Sequence, residues 1–415
     1  MAMTAEENER LTRVGPGTPG GELMRRYWHP VAAALELADN PVKLVRLLGE
    51  DLVLYRTREG EYGLCDTSCP HRCASLEFGV PEPNGLRCGY HGWLFDLTGK
   101  CLEAPFEDRM HPEARFRDKV SIKAYPVQEL GGLLFAYMGP LPAPLVPRWD
   151  LLVRDDLDVA IEVHPLPCNW LQCMDNSADP VHFEFLHAYW GNYELERMGL
   201  PPSMKQAKHL KIDFDVFRHG IMKRRLAEGE SEDSTEWRVG HPLLFPNILA
   251  VGDQGHSHLQ FRVPVDDTHT LNYTYWTSPR EAGAAPAPTA LKFTVMFDEK
   301  RRLIGKLDCV GNQDMVAWVG QGPISDRTRE HLASSDRGVI LYHKLLFENM
   351  DIVERGGEPI AVIRDRDENE PMINIERGLA YTAHEAFAWD RDFGHNYKQT
   401  VEGAAVRQES ATAAR

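Results

Sequence analysis

The sequence predicts an α+β protein of two domains: an all-β N-terminal domain of short strands, then a larger domain of helices and antiparallel sheet. Three observations carry that prediction. From about residue 29 to 148 the chain is cut into short apolar segments bounded by Gly, Glu or Asp. A Pro-rich linker, Gly139-Pro140-Leu141-Pro142-Ala143-Pro144, with Pro147 just after, marks a boundary at about residue 148. Beyond it, helical segments give way to longer alternating stretches, Leu210 to Arg225 and Gln260 to Trp276. The chain has 415 residues, 43% of them hydrophobic, which is enough for two sizeable cores.

Taken in order, residues 1–28 read as a helical arm in two pieces, interrupted by Gly15-Pro16-Gly17-Thr18-Pro19-Gly20-Gly21. That interruption formally matches G-x-G-x-x-G, but a dinucleotide loop follows a strand, whereas Glu6-Glu7-Asn8-Glu9-Arg10-Leu11 is helix-like and two prolines break the loop. The match is rejected. Within residues 29–148, the segments 42–48, 52–55 and 132–137 read as strands. Residues 149–400 form the second domain, with a loop at 282–288, and residues 401–415 are a small, polar, flexible tail. No internal repeat is visible.

Charge and composition exclude several classes. A net charge of −16 argues against nucleic acid or an anionic membrane as partner. The N-terminal residues have neither a basic region nor an apolar core, so no signal peptide is expected, and no apolar run approaches the ~20 residues that span a bilayer. Eight cysteines are few for this length, so the expectation is a cytoplasmic protein with reduced thiols.

Two short pieces carry the first chemistry. Cys69-Pro70-His71-Arg72 and Cys88-Gly89-Tyr90-His91-Gly92-Trp93 each offer one thiol and one imidazole. A Rieske [2Fe–2S] cluster has one iron held by two thiolates and the other by two histidines, which two such loops suit. A Cys2His2 zinc finger instead groups a cysteine pair and then a histidine pair. The C-x-H … C-x-x-H-G-W pair resembles the Rieske fingerprint, with Cys69, His71, Cys88 and His91 as the cluster ligands.

A second metal site is expected in the segment from Asn169 to His187. Two imidazoles plus one carboxylate make the facial triad of non-haem Fe(II) oxygenases, with positions left open for O2 and substrate. His182 and His187 are five apart, and on a regular helix would diverge by ~140°. They converge only where the helix ends or bulges. The third ligand must come from downstream, where Asp308, Asp314, Asp326 and Asp336 are the candidates.

The block D-N-x-x-D-x-x-H-x-x-x-x-H, from Asp175 to His187, resembles that of the Rieske non-haem iron oxygenases. The stretches Arg13 to Gly20 and Gly322 to Leu332 look like their phthalate-dioxygenase branch, whose members have a single type of catalytic subunit. The resemblance implies a helix-grip second domain with His182 and His187 as iron ligands. Asn312-Gln313-Asp314 resembles the family's acidic ligand at the start of a long helix, which selects Asp314. It also implies catalytic roles for Asn176 and Asp179. Asp179 would bridge subunits in a head-to-tail homotrimer, or a dimer of trimers, joining His91 of one chain to His182 of the next. The competing reading of Asp179 is a helix cap ahead of Pro180.

The resemblance further implies an oxygenase component that uses O2 and electrons from NAD(P)H, delivered by a separate reductase, with or without a ferredoxin. The reaction would be hydroxylation or O-demethylation of an aromatic substrate, carboxylated and lignin-derived or phthalate-like. Read as one strand, Leu210 to Arg225 places Arg218 and Arg224 on the face of Ile212, Phe214 and Val216. An inward arginine needs an anion, which is either a substrate carboxylate or an internal Asp or Glu. A different class also fits: a Rieske electron-transfer or redox-sensing protein whose second domain binds a ligand without turning it over.

Overall fold

The computed structural model describes residues 3–202, 208–252 and 257–369. The tail at 401–415 and the end of the second domain therefore lie outside the described residues. The N-terminal third is built from three small antiparallel sheets. One pairs Trp28–Ala33 with Leu133–Tyr137 and Val127–Leu130. A second runs Val42–Leu47, Glu50–Arg56, Tyr62–Asp66 and Ala124–Tyr125, so the strands expected at 42–48, 52–55 and 132–137 are present. The third, Val80–Glu82, Gly85–Arg87, Leu94–Phe95 and Cys101–Glu103, flanks the two Cys/His loops.

The larger sheet has eight strands, in the order His209–Phe217, Gly220–Ala227, His241–Leu244, Ile248–Gly252, Ser257–Asp266, His269–Pro279, Leu157–Leu166 and Ala290–Phe293. Its neighbours are antiparallel except for the last pair, Leu157–Leu166 with Ala290–Phe293, which is parallel. One face buries Ile161, Val163, Leu259, Phe261, Val263, Tyr273 and Tyr275. The long helix Arg337–Glu354 contributes Tyr342, Leu346 and Met350 to the same core.

That core does not break at the Pro-rich linker. It runs on through Leu133, Phe135 and Tyr137 and through Leu11, Leu23 and Met24 of the N-terminal arm. The two Cys/His loops have their own small core around Val53, Leu76, Leu86, Trp93 and Phe95. The arm is helical at Ala5–Thr12, closed by a Thr4/Glu7 capping box, and at Pro19–Met24. Thr18 caps the second helix with Pro19 at its first position, where the missing N–H costs nothing. The Gly-rich stretch is thus a helix-to-helix turn. Arg10 fastens the arm to the long helix through Asp351 at 2.5 Å and Glu354 at 3.0 Å. No described helix is long and apolar enough to cross a membrane.

The stretch Leu210 to Arg225, read from sequence as one strand, is a hairpin. Phe217 pairs with Gly220, leaving Arg218 and His219 as the turn. Gly220 has φ +148°, and a Cβ there would meet the Leu243 carbonyl oxygen at 2.0 Å, so the turn requires glycine.

Candidate active site

Among the described residues, His182, His187 and Asp314 have ligand atoms all within 4.8 Å of one another. The local backbone explains how two histidines five apart converge. Phe183–Gly191 is a π-helix, whose i→i+5 hydrogen bonding brings the fifth residue round to about one turn. The His182 and His187 rings meet edge to face, with centroids 5.2 Å apart. Asp314 comes from the helix Val310–Gly320. Its Oδ1 lies 3.1 Å from His187 Nε2 and 3.6 Å from His182 Nε2. That buried oxygen is nevertheless aligned for a hydrogen bond with neither. Two imidazole Nε2 atoms and one carboxylate oxygen facing a common point fit a divalent metal ion better than they fit one another. Burial pushes the Asp314 carboxyl up, but the two imidazoles outweigh it and hold it below the usual carboxylate range.

Neighbours stand against both imidazoles. His187 Nδ1–H donates to Gln313 Oε1 at 3.0 Å, which leaves Nε2 as the free lone pair. Gln313 is buried and its amide also donates to the Leu307 carbonyl at 3.3 Å. On the other ring, His182 Nδ1 lies 3.5 Å from Asp179 Oδ2, a charge contact without hydrogen-bond alignment. Asp179 ends the helix Trp170–Ala178, and its carboxylate also accepts from the backbone N–H groups of Val181 at 2.7 Å and His182 at 3.2 Å. Both readings of Asp179 from sequence, cap and histidine partner, are thus compatible with one geometry. Asn176, one turn earlier, is half-buried.

The other set is at the tip of the N-terminal third. Cys69 and Cys88 are each 2% exposed, whereas His71 and His91 are on the surface. The His71 ring stacks on Trp93 at 4.5 Å and meets His91 edge to face at 4.4 Å. Each loop closes on itself through backbone bonds, Cys73 N–H to the Cys69 carbonyl and Gly92 N–H to the Cys88 carbonyl. Burial pushes the Cys69 thiol up to about 11, so a thiolate there at neutral pH requires a cation such as iron. Thiols inside and imidazoles outside suit a cluster with one buried and one exposed iron.

Comparison with known proteins decides the family. Residues 27–126 match the Rieske [2Fe-2S] domain family, and residues 301–402 match the family described as LigXa C-terminal domain like. The chain is 44% identical over 379 residues to the 5,5'-dehydrodivanillate O-demethylase oxygenase subunit of Sphingobium sp. SYK-6, covering 90% of this chain and 87% of that one. The chain belongs to the Rieske-type oxygenase subunits. The phthalate 4,5-dioxygenase oxygenase subunit of Pseudomonas putida is 30% identical over 86% of this chain and 88% of its own. Among solved structures, the terminal oxygenase of carbazole 1,9a-dioxygenase from Novosphingobium sp. KA1 has the same fold, with a TM-score of 0.57 and 19% identity over 87% of this chain and 100% of that one. A Rieske domain followed by a mixed sheet-and-helix catalytic domain is therefore the architecture of this oxygenase subunit, and it is an enzyme.

Two sequence expectations are corrected within this oxygenase fold. Arg218 sits in the hairpin turn, exposed, paired with Glu368 at 2.9 Å and donating to the Val362 carbonyl. Arg224 is held by Asp215 across the hairpin. Both take the internal ion pair that the sequence left open beside a substrate carboxylate, and neither lies on the face of Ile212 and Phe214, because the two-residue turn resets the alternation on which that placement relied. The inward face of Gly220–Ala227 belongs to Lys223 and Arg225 instead. Lys223 is buried and donates to the Ser177 carbonyl at 2.8 Å. Arg225 lies 4.7 Å from the Phe183 ring and bonds Glu236 at 2.8 Å, which His241 also meets at 2.6 Å. Asp326 caps the turn Arg327–Arg329, as its sequence context suggests. Sequence reasoning passed over Gln313, because a neutral amide carries no ligand signature, and over Asp175, which receives the fully buried Arg327 at 2.5 Å and His343 at 2.7 Å.

Proposed function

We propose that this oxygenase subunit O-demethylates a methoxylated aromatic acid, with electrons passed from NAD(P)H by a separate reductase. The observation that carries the reading is the convergence of His182, His187 and Asp314 in a chain that also has a Rieske domain. The 44% identity to an O-demethylase oxygenase subunit supports the choice of reaction over ring dihydroxylation. The balance is one methoxyarene, O2, two electrons and two protons going to a phenol, formaldehyde and water.

The cluster and the single iron, when bound, supply one-electron storage and O2 activation respectively. The chain's own residues do the remainder. Gln313 fixes the tautomer of His187, and Asp179 orients His182, so that both Nε2 lone pairs point the same way. Asp314 contributes the charge that balances a divalent cation in a buried setting. His71 and His91, exposed on one chain, and Asp179, reachable from the surface, support a head-to-tail trimer in which His91 of one subunit meets Asp179 of the next. Exposed Phe185, Tyr189 and Tyr193 on the π-helix and the helix after it are the apolar surface such a contact would cover.

The test is O2 uptake with a generic reductase across a panel of aromatic acids, with product masses and formaldehyde measured. The expected result is formaldehyde and phenol in equal amounts from a methoxylated acid. A diol product without formaldehyde would replace demethylation by dihydroxylation. Uptake indifferent to every aromatic acid would remove the substrate class.

A further inference from the structure

The face of the large sheet opposite its apolar core is polar and buried. On the strands Leu157–Leu166, His269–Pro279 and Ser257–Asp266, His164 pairs with Asn272, and Asn272 with Arg262, in one row. Glu162, Thr274 and Gln260 form the next row, pointing the same way by the two-residue period. Arg262 is 1% exposed and His164 3%. The helix Val310–Gly320 covers this face: the Arg262 guanidinium lies 4.5 Å from the ring centre of Trp318, one turn beyond Asp314.

Arg262 is the exception among the deeply buried arginines. Arg327 has Asp175, and Arg25 has Glu50 at 2.6 Å. Arg262 donates only to the neutral amide oxygens of Asn272 and Gln260, and its Nε–H has no acceptor. Glu162 is already matched by Lys292 at 3.0 Å and Thr294 at 2.8 Å. Among the described residues no carboxylate forms an ion pair with Arg262, yet burying an unpaired charge is costly. His164 Nδ1 and Trp318 Nε1 are likewise buried without a hydrogen-bond partner, while His164 Nε2 stands 3.4 Å from Glu162 Oε1. Three unpartnered nitrogens on three side chains, beside the helix that carries Asp314, describe the negative image of an acidic, oxygen-bearing ligand.

We propose that Arg262 is the substrate-binding residue for the carboxylate of the aromatic acid, with His164 bonding an oxygen substituent on the same ring. This rests on the aromatic-acid reading above and adds its recognition end. Nε and the free Nη hydrogens of Arg262 offer the bidentate fork a carboxylate takes. His164 stands two strands away, about 10 Å along the sheet, a span suited to a substituted aromatic ring. Trp318, stacked on the guanidinium, keeps water from it and so strengthens the pair.

The test is calorimetric binding, without reductase or O2, of 3-methoxybenzoate and biphenyl-3-carboxylate against their neutral primary amides. The wild-type protein should prefer the acids. Arg262→Gln, with its Rieske absorption and iron content intact, should lose that preference by roughly 30-fold. Arg262→Lys should keep part of it, and His164→Phe should weaken ring-hydroxylated acids while sparing the unhydroxylated ones. A crystal structure of the wild-type protein with the acid gives a reading that does not depend on a variant folding. The carboxylate within hydrogen-bond distance of Arg262 sustains the proposal, and a carboxylate bound elsewhere overturns it. If wild type prefers acids and Arg262→Gln prefers them equally, Arg262 is not the recognition residue and the substrate class stands. If wild type binds acid and amide alike, the substrate class itself fails.

Discussion

Replacing Cys69 or Cys88 by Ala should abolish the Rieske absorption and EPR signal, since each removes a proposed thiolate from the same iron, whereas Cys73→Ala and Cys65→Ala should leave both. Loss of the signal in either of the latter pair would mean that the ligand set is wrong. At the second site, Asp314→Ala should empty the mononuclear position and keep the cluster spectrum, while Asp326→Ala retains iron because Asp326 is engaged as a cap. Gln313→Leu should weaken iron binding by about 10–100-fold, the usual effect of removing a group that orients a ligating histidine. Iron titration of the chelated protein measures it, and unchanged affinity would show that the His187 tautomer needs no help. The contrast between these residues shows what a sequence makes legible. Cys and His announce metal chemistry by type and spacing, so six candidate ligands could be named before any geometry, whereas Asp314 was selected among four aspartates only by resemblance to the family. Gln313 acts only through its position next to the imidazole, and an amide in a helix has dozens of equally good explanations.

The elements explain why one arginine pair was misplaced and one histidine pair was not. Alternation across Leu210 to Arg225 is real, but it continues through a two-residue turn whose sole sequence sign is Gly220, and a turn resets which face a given parity occupies. The five-residue histidine spacing, awkward on an α-helix, demanded a bulge, and the π-helix supplies it. That element ends at Gly191, where a Cβ would lie 2.6 Å from Gln313 Oε1 and 2.7 Å from Nε2. Gly191→Ala should therefore push the buried amide away from His187 and lower iron affinity in the same direction as Gln313→Leu, with the cluster spectrum unchanged. Normal iron binding in that variant would mean that the amide has room to move. Nearby, Arg327 ties Asp175 of the helix Trp170–Ala178 to the following turn. Arg327→Met leaves the buried Asp175 carboxylate with His343 as its remaining partner and should cost about 3 kcal/mol in denaturant unfolding, the low end for breaking a buried ion pair.

At the scale of the whole molecule, the −16 charge and the shared core both bear on how electrons travel. The arm, two of the three N-terminal sheets and the catalytic sheet share one core, the loops that carry the exposed His71 and His91 have a small core of their own, and the proposed route runs to a neighbouring subunit. Asp179→Asn tests that route. The amide keeps the size of the carboxylate, and its single oxygen can still accept from the Val181 N–H, which now bonds Oδ1, but not also from the His182 N–H, which bonds Oδ2. It loses the negative charge and the second acceptor that would hold two imidazoles at once. Because Asp179 is proposed as a ligand to neither metal, both sites should load, as read by the cluster spectrum and iron content. Electron transfer between them should slow by orders of magnitude, because the histidine-to-histidine path loses its alignment. In a single turnover of reduced enzyme with substrate and O2, the cluster should then stay reduced far longer than in wild type. Reoxidation at the wild-type rate would sink the bridge, and an active species sedimenting as a monomer would sink the intersubunit route with it.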